Sequence, residues 1–187
     1  PFAIRKAKAF ALAVEKMPLF LLEGDLLCGG KTVYKLPTYI TEDEIKWGNH
    51  NFECSGYNNI FDYPFNLGQD ERGFGLNNSS IPAYYKIIPM GLPALIADIE
   101  ALKAAATDSD QIIYYDSVLI AQHAALRIMA RYEALCREFL DSCKDEPRCR
   151  ELQIMADNLA QLQVGAPQTY WQALQLMYCI QFLVWVE

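Results

Sequence analysis

The amino-acid sequence predicts a mainly α-helical fold. Three observations carry that expectation. The opening residues are rich in Ala, Lys and Glu, with apolar positions at helical spacing. From Ile81 to the last residue, apolar side chains recur every three to four positions over long stretches. The punctuation between those stretches consists of the Pro, Gly and Asp signals that start and stop helices. At 187 residues, 52% hydrophobic and 21% charged, the chain has material for one packed core.

The elements follow in order. Residues from about 3 to 16 read as a helix with Phe10, Ala13, Val14 and Met17 on its apolar stripe, stopped by Pro18. Leu19-Phe20-Leu21-Leu22 and Leu26-Leu27 are short apolar runs split by Glu23-Gly24-Asp25, and they read as extended. Thr41-Glu42-Asp43-Glu44 carries the capping-box pattern for a short helix to about Trp47. Residues 48–80 crowd Asn, Gly and Asp with Phe52, Tyr57, Ile60, Phe61, Tyr63, Phe65 and Phe74, which predicts a long ordered loop.

Beyond it, Pro82 suits a first helical turn. Pro89, Gly91 and Pro93 then divide this stretch into two helices, the second with Leu95, Ile99 and Leu102 as its stripe. A long helix is expected from about Asp110 to Ser142, with early carboxylates favoured by the helix N-terminus. Another spans about 146–163 with Leu152, Met155, Leu159 and Leu162 on one face, and Gly165 and Pro167 punctuate. The last starts near Thr169. From Ala173 to Val186 it is apolar almost all round, interrupted by Gln175 and Gln181. That stretch is shorter than the roughly 20 residues a bilayer span takes, so it reads as a buried core helix.

Charge and motifs exclude several function classes. The net charge is −7, and the longest basic run is Arg5-Lys6, so neither a nucleic-acid footprint nor a polybasic membrane anchor is expected. The six cysteines, at 28, 54, 136, 143, 149 and 179, show no C-x-x-C spacing and read as reduced thiols of a cytoplasmic protein. A Cys143–Cys149 disulfide has no sequence signal beyond proximity. Gly29-Gly30-Lys31-Thr32 fails as a phosphate loop. Asp25 falls where the first Gly should be, and Val33-Tyr34-Lys35-Leu36-Pro37 does not open a helix. His123 reads as a packed or surface histidine, and His50 in the aromatic loop has no identifiable partner. No metal-ligand, paired-carboxylate or Ser-His-Asp constellation is present, so no catalytic residue is assigned to this segment.

Four segments resemble those of glycyl radical enzymes of the pyruvate formate-lyase superfamily. Pro167-Gln168-Thr169-Tyr170-Trp171-Gln172-Ala173-Leu174-Gln175-Leu176 is similar to the Pro-x-Thr-aromatic segment that opens a helix leading, through a glutamate, to an active-site loop. Glu187 stands at that glutamate, and Gln181 where many members have His. Arg5–Ala9 followed by Gly24-Asp25-Leu26-Leu27-Cys28-Gly29-Gly30-Lys31-Thr32 resembles the opening helix and its Gly-Thr run. Ile81-Pro82-Ala83-Tyr84 through Gly91-Leu92, and Tyr114-Tyr115-Asp116 through Arg131-Tyr132, resemble two further helices.

The resemblance implies that residues 1–187 are the incomplete, helical N-terminal portion of a ten-stranded α/β barrel. It implies a radical lyase, dehydratase or decarboxylase acting on a small organic substrate. A C-terminal glycyl radical would generate a thiyl radical on a central cysteine. A separate S-adenosylmethionine iron–sulfur activating enzyme would install the glycyl radical. Both the cysteine and the glycine motif are expected outside this segment, which would be inert alone and prone to dimerise or self-associate. The absence of an initiator Met at Pro1 suits an excerpted chain. Asn78, Ser79 and Ser80, just before the Ile81-Pro82 helix start, are the expected substrate-binding residues, with Ser80 as a plain N-cap the competing role. The alternative to an enzyme portion is a stand-alone helical interaction module or truncated paralogue. A reading frame continuing past Glu187 into the cysteine and glycine motifs selects the enzyme.

Overall fold

The computed structural model describes residues 1–29 and 82–184, which belong to one compact unit. Among the described residues there are five helices and no strand: α1 (Phe2–Lys16), α2 (Tyr84–Ala105), α3 (Ser109–Ser142), α4 (Glu146–Val164) and α5 (Tyr170–Val184). The expected short helix after Thr41 and the aromatic loop at 48–80 lie outside the described residues. So do Asn78, Ser79, Ser80, His50, Cys54 and Glu187.

The long helix α3 is the spine. Its 34 residues span about 50 Å at 1.5 Å rise per residue, enough for α1, α2, α4 and α5 all to pack along it. It begins where Asp108 turns its carboxylate onto the Asp110 amide, 3.3 Å away, satisfying one of the helix's unpaired donors. Asp145 caps α4 in the same way, accepting from the Arg148 amide at 3.1 Å, with Pro147 in the first turn. At the start of α5, Thr169 Oγ1 accepts from the Gln172 amide at 3.2 Å, and Gln172 Oε1 accepts from the Gln168 amide at 2.7 Å. This reciprocal pair fixes the helix entry as a capping box does.

The α4 stripe matches the expected one, with Leu152, Met155, Leu159 and Leu162 all buried. Two stripes are shifted. On α1 the buried positions are Ala7 and Val14, with Phe10 and Met17 packed beside them, while Ala13 is exposed. The spacing 7, 10, 14, 17 is the better helical face. On α2 the buried residues are Leu92 and Ile96, and Leu102 stands 53% exposed. Its register is set at Gly91 rather than at Pro93.

Gly91 breaks α2 into two helical pieces, as Pro89, Gly91 and Pro93 predict. It adopts φ 74° and ψ 161°, a region open essentially to glycine alone. A Cβ there would lie 2.8 Å from the backbone N and Cα of Ala166 and from the carbonyl oxygen of Gly165. The bend therefore lets α2 press its backbone on the α4–α5 connection. Helix α2 itself starts at Tyr84 with Ala83 as N-cap and no side-chain cap. Ser80, the competing N-cap expectation, lies outside the described residues.

Both the backbone conformation and the missing space predict that Gly91→Ala destabilises the protein by about 2–4 kcal/mol. Thermal unfolding of the full-length protein should show a Tm lowered by several degrees. An unchanged Tm would mean that α2 does not sit this close to residues 165–166.

Candidate functional site

Residues 18–29, between α1 and the first undescribed residue, have no helix or ladder to satisfy their backbone. A segment packed on a core must still find partners for its amides and carbonyls. Here side chains from α3, α4 and α5 provide them in sequence. Arg131 of α3 donates to the carbonyls of Val14 and Met17, the latter at 2.7 Å. It thereby closes the C-terminal end of α1, where carbonyls lack intrahelical donors. Arg127, one turn away, forks onto the Glu15 carboxylate at 2.6 and 2.9 Å, holding that carboxyl below its ordinary range.

The next anchor is a tight turn. Gly24 has φ 82°, as the third residue of a type II turn requires. The Asp25 amide donates to the Leu22 carbonyl at 3.1 Å, and the Leu22 amide to Asp25 Oδ2 at 2.8 Å. Arg148 of α4 donates across the turn to the carbonyls of Asp25 at 2.8 Å and Leu22 at 3.2 Å. Its other partner is Glu151 at 2.8 Å. The Trp171 indole N–H then reaches the Leu26 carbonyl at 3.0 Å.

The last anchor is the deepest. Gln175 of α5 is fully buried, and its amide pairs with both backbone groups of Cys28. Oε1 accepts from the Cys28 amide at 2.9 Å, and Nε2 donates to the Cys28 carbonyl at 2.7 Å. One side chain thus supplies what a neighbouring strand would. Gly29 follows with φ 122°, and a Cβ there would meet the Tyr178 ring at 3.3 Å. The segment passes close over α5 because glycine leaves room for it.

Around Cys28 lie the other two free cysteines of the described core, Cys136 and Cys179. The sulfurs of Cys28 and Cys136 are 3.5 Å apart, and Gln175 Nε2 lies 3.2 Å from Cys179 Sγ. The hydrogen bond to Cys136 and then burial push the Cys28 thiol up. Burial pushes Cys179 to about 12 and raises Tyr132, whose ring stands edge-on to Phe182. Cys28, Cys179 and Tyr132 are thus protonated packing residues at neutral pH, whereas nucleophilic or metal-binding cysteine is thiolate; the hydrogen bond with Cys28 instead lowers Cys136. Among the described residues no cluster of three or more His, Cys, Asp or Glu could hold a metal.

Cys143 and Cys149 depart from the expectation of six reduced thiols. They form a disulfide across the α3–α4 turn, with Cα atoms 5.7 Å apart. The turn that Asp145 caps brings Cys143, the residue that caps the end of α3, and the first turn of α4 to bonding range. His123 is exposed on α3. Gln181 of α5 accepts from the Tyr84 hydroxyl at 3.0 Å, tying the start of α2 to the last turn of α5. Burial pushes that hydroxyl up, so it stays a donor. A cleft of about 250 Å³ lies beside the 22–25 turn, lined by Leu21, Leu22, Glu23, Phe139, Cys143, Arg148 and Leu152.

Sequence reasoning missed the four anchors Arg131, Arg148, Trp171 and Gln175. Gln175 had a legible signal, as an amide inside an otherwise apolar helix. Arg131 stood in a family-like segment but nothing in the sequence showed its role, and Arg148 had no signal, because their partners are carbonyls more than a hundred residues away.

A model of the pyruvate formate lyase-like family matches residues 71–187. The chain belongs to that family. It is 33% identical over 109 residues to a (2S)-3-sulfopropanediol dehydratase of Klebsiella oxytoca, a match covering 56% of this chain and 13% of that protein. It is 40% identical over 72 residues to the probable dehydratase YbiW of Escherichia coli K12, covering 38% of this chain and 8% of that one. Its fold is similar to a solved structure from Roseburia inulinivorans, a study of 1,2-propanediol dehydration, with a TM-score of 0.70 at 16% identity over 100% of this chain and 29% of that one. The matched stretches are a small part of the curated relatives' length. Two of the segments that carry the resemblance meet directly, and the other two pack on residues beside them. Residues 24–29 lie on Trp171 and Gln175, Gly91 lies on residues 165–166, and Arg131 closes α1.

Two outcomes follow. Gln175→Leu keeps the volume but leaves the Cys28 amide and carbonyl unpaired in the core, at about 1–3 kcal/mol each. Chemical denaturation of the full-length protein should show a loss of about 2–5 kcal/mol; a loss under about 0.5 kcal/mol would contradict the pairing. The second concerns pH. Cys179 is raised from an ordinary 9.0 to about 12, so the folded state holds a proton that the unfolded chain releases first. Its contribution to stability is complete below pH 9.0 and is lost as pH rises towards 12. Cys179→Ala should flatten that alkaline decline; an equally steep decline would remove Cys179 as its cause.

Proposed function

We propose that this chain is the helical N-terminal portion of a glycyl radical dehydratase that removes water from a small polyhydroxylated substrate. The observation that carries the reading is the 33% identity to a sulfopropanediol dehydratase, supported by the match to a second, probable dehydratase. Among the reactions the family resemblance allows, dehydration is the one those relatives favour. The glycyl radical and the cysteine it oxidises, both expected outside this segment, would supply hydrogen-atom abstraction from the substrate. A separate S-adenosylmethionine iron–sulfur activating enzyme would install the radical.

The role we assign to residues 1–187 is non-chemical. The helices and the anchored 18–29 segment form a rigid wall, and Asn78, Ser79 and Ser80 bind the substrate. Neutral amide and hydroxyl side chains suit hydroxyl groups, because each can both donate and accept. No catalytic acid, nucleophile or radical residue is assigned within the segment, so the segment alone would be inert. Exposed apolar side chains on α5, among them Met177 and Tyr178, favour association with the remainder of the protein or with a second copy.

The test uses the full-length protein, activated under anaerobic conditions and assayed for aldehyde formation from 1,2-diols. Turnover is expected. Asn78→Ala and Ser79→Ala should each lower kcat/KM by about tenfold or more through a lost substrate hydrogen bond, with Tm unchanged. A robust glycyl radical signal with no diol consumed would refute dehydration. Unchanged kinetics in both variants would remove these residues from the substrate pocket.

A further inference from the structure

We propose that Cys143 and Cys149 are a reversible dithiol–disulfide site that sets how firmly Arg148 holds the Leu22–Asp25 turn. Arg148 lies inside the loop that the disulfide closes. Its guanidinium is the donor that crosses the turn, on the carbonyls of Leu22 and Asp25. Its side chain is only 16% exposed, with Glu151 as its acidic partner. The covalent loop therefore fixes the backbone that presents the anchor. Opening the loop frees the last turn of α3 from the first turn of α4 and loosens that presentation.

Access and chemistry both suit exchange. Cys143 and Cys149 are half-buried rather than enclosed. Cys143 also lines the cleft beside the turn, together with Leu21, Leu22 and Glu23. A dithiol reductant enters as thiolate and attacks Cys143 Sγ, breaking the bond to Cys149. Cys149 leaves as thiolate in the first turn of α4, where the partial positive charge of the helix N-terminus favours it. The reductant's second thiol then displaces Cys143. Two electrons and two protons end on Cys143 and Cys149 as thiols, and the reductant departs as its cyclic disulfide. A small-molecule disulfide runs the sequence in reverse. The buried pair Cys28 and Cys136 is enclosed in the core, so the surface loop is the site that responds.

The test is hydrogen exchange on the full-length protein, as its disulfide form and after dithiothreitol, with differential alkylation and mass spectrometry reporting the state of Cys143 and Cys149. Reduction should accelerate exchange at the Leu22 and Asp25 amides by about fivefold or more, because local opening tracks the strength of the anchoring contacts. Reoxidation with a small disulfide should restore the slow rate. A Cys143→Ser, Cys149→Ser double variant should exchange fast in both conditions. Arg148→Gln should do so with the disulfide intact, which separates loss of the anchor from loss of the fold. Two results would overturn the proposal. One is a pair of thiols that stays alkylatable after the disulfide oxidant. The other is a bond that opens and closes while the Leu22 and Asp25 rates stay the same.

Discussion

The side-chain amide of Gln175 on the backbone of Cys28 is the contact on which the rest of the described structure depends. It sits at zero exposure, replaces a missing strand partner, and is placed by helix α5. A buried peptide group without a partner costs more than most side-chain contacts return. Without Gln175, the Cys28 amide and carbonyl would lie unpaired in the core beside the thiols of Cys136 and Cys179. The core cluster joining Val14, Cys28, Tyr132, Leu159 and Leu176 assumes that segment is in place.

The other anchors follow one physical rule. An irregular segment on a helical bundle needs donors for its carbonyls, and Arg and Trp deliver them from neighbouring helices at long reach. Arg131 and Arg148 each serve two carbonyls, using the forked geometry of a guanidinium. Their sequence neighbours share the task. Tyr132, next to Arg131, fills the core, and Cys149, next to Arg148, closes the turn. The frame is thus built from pairs of adjacent residues, one packing or bonding covalently and one satisfying backbone.

Helical content was legible because it rests on local periodicity. The bounds of α1, α3 and α4, the start of α5, the break at Gly91 and the α4 stripe all follow from spacing and from Pro, Gly and Asp signals. The register within α1 and α2 was less so. Ala13 and Ala7 are indistinguishable by composition, and Leu102 is apolar yet stands exposed. The disulfide and the arginine anchors were not legible, because each depends on where a distant backbone or a turn lies. The Asn78–Ser80 assignment came from the family resemblance alone, and those residues lie outside the described part.

Family membership gives these contacts their meaning. Segments that signal the pyruvate formate lyase-like family are, in the described part, framework residues: Gly91, Arg131, Trp171 and Gln175 hold backbone to backbone. Amide hydrogen exchange at Cys28 in the full-length protein tests that claim most directly. Bonded to buried Gln175, this amide should be among the slowest to exchange, opening only with the α3 core. Exchange at the rate of an unstructured chain would contradict it.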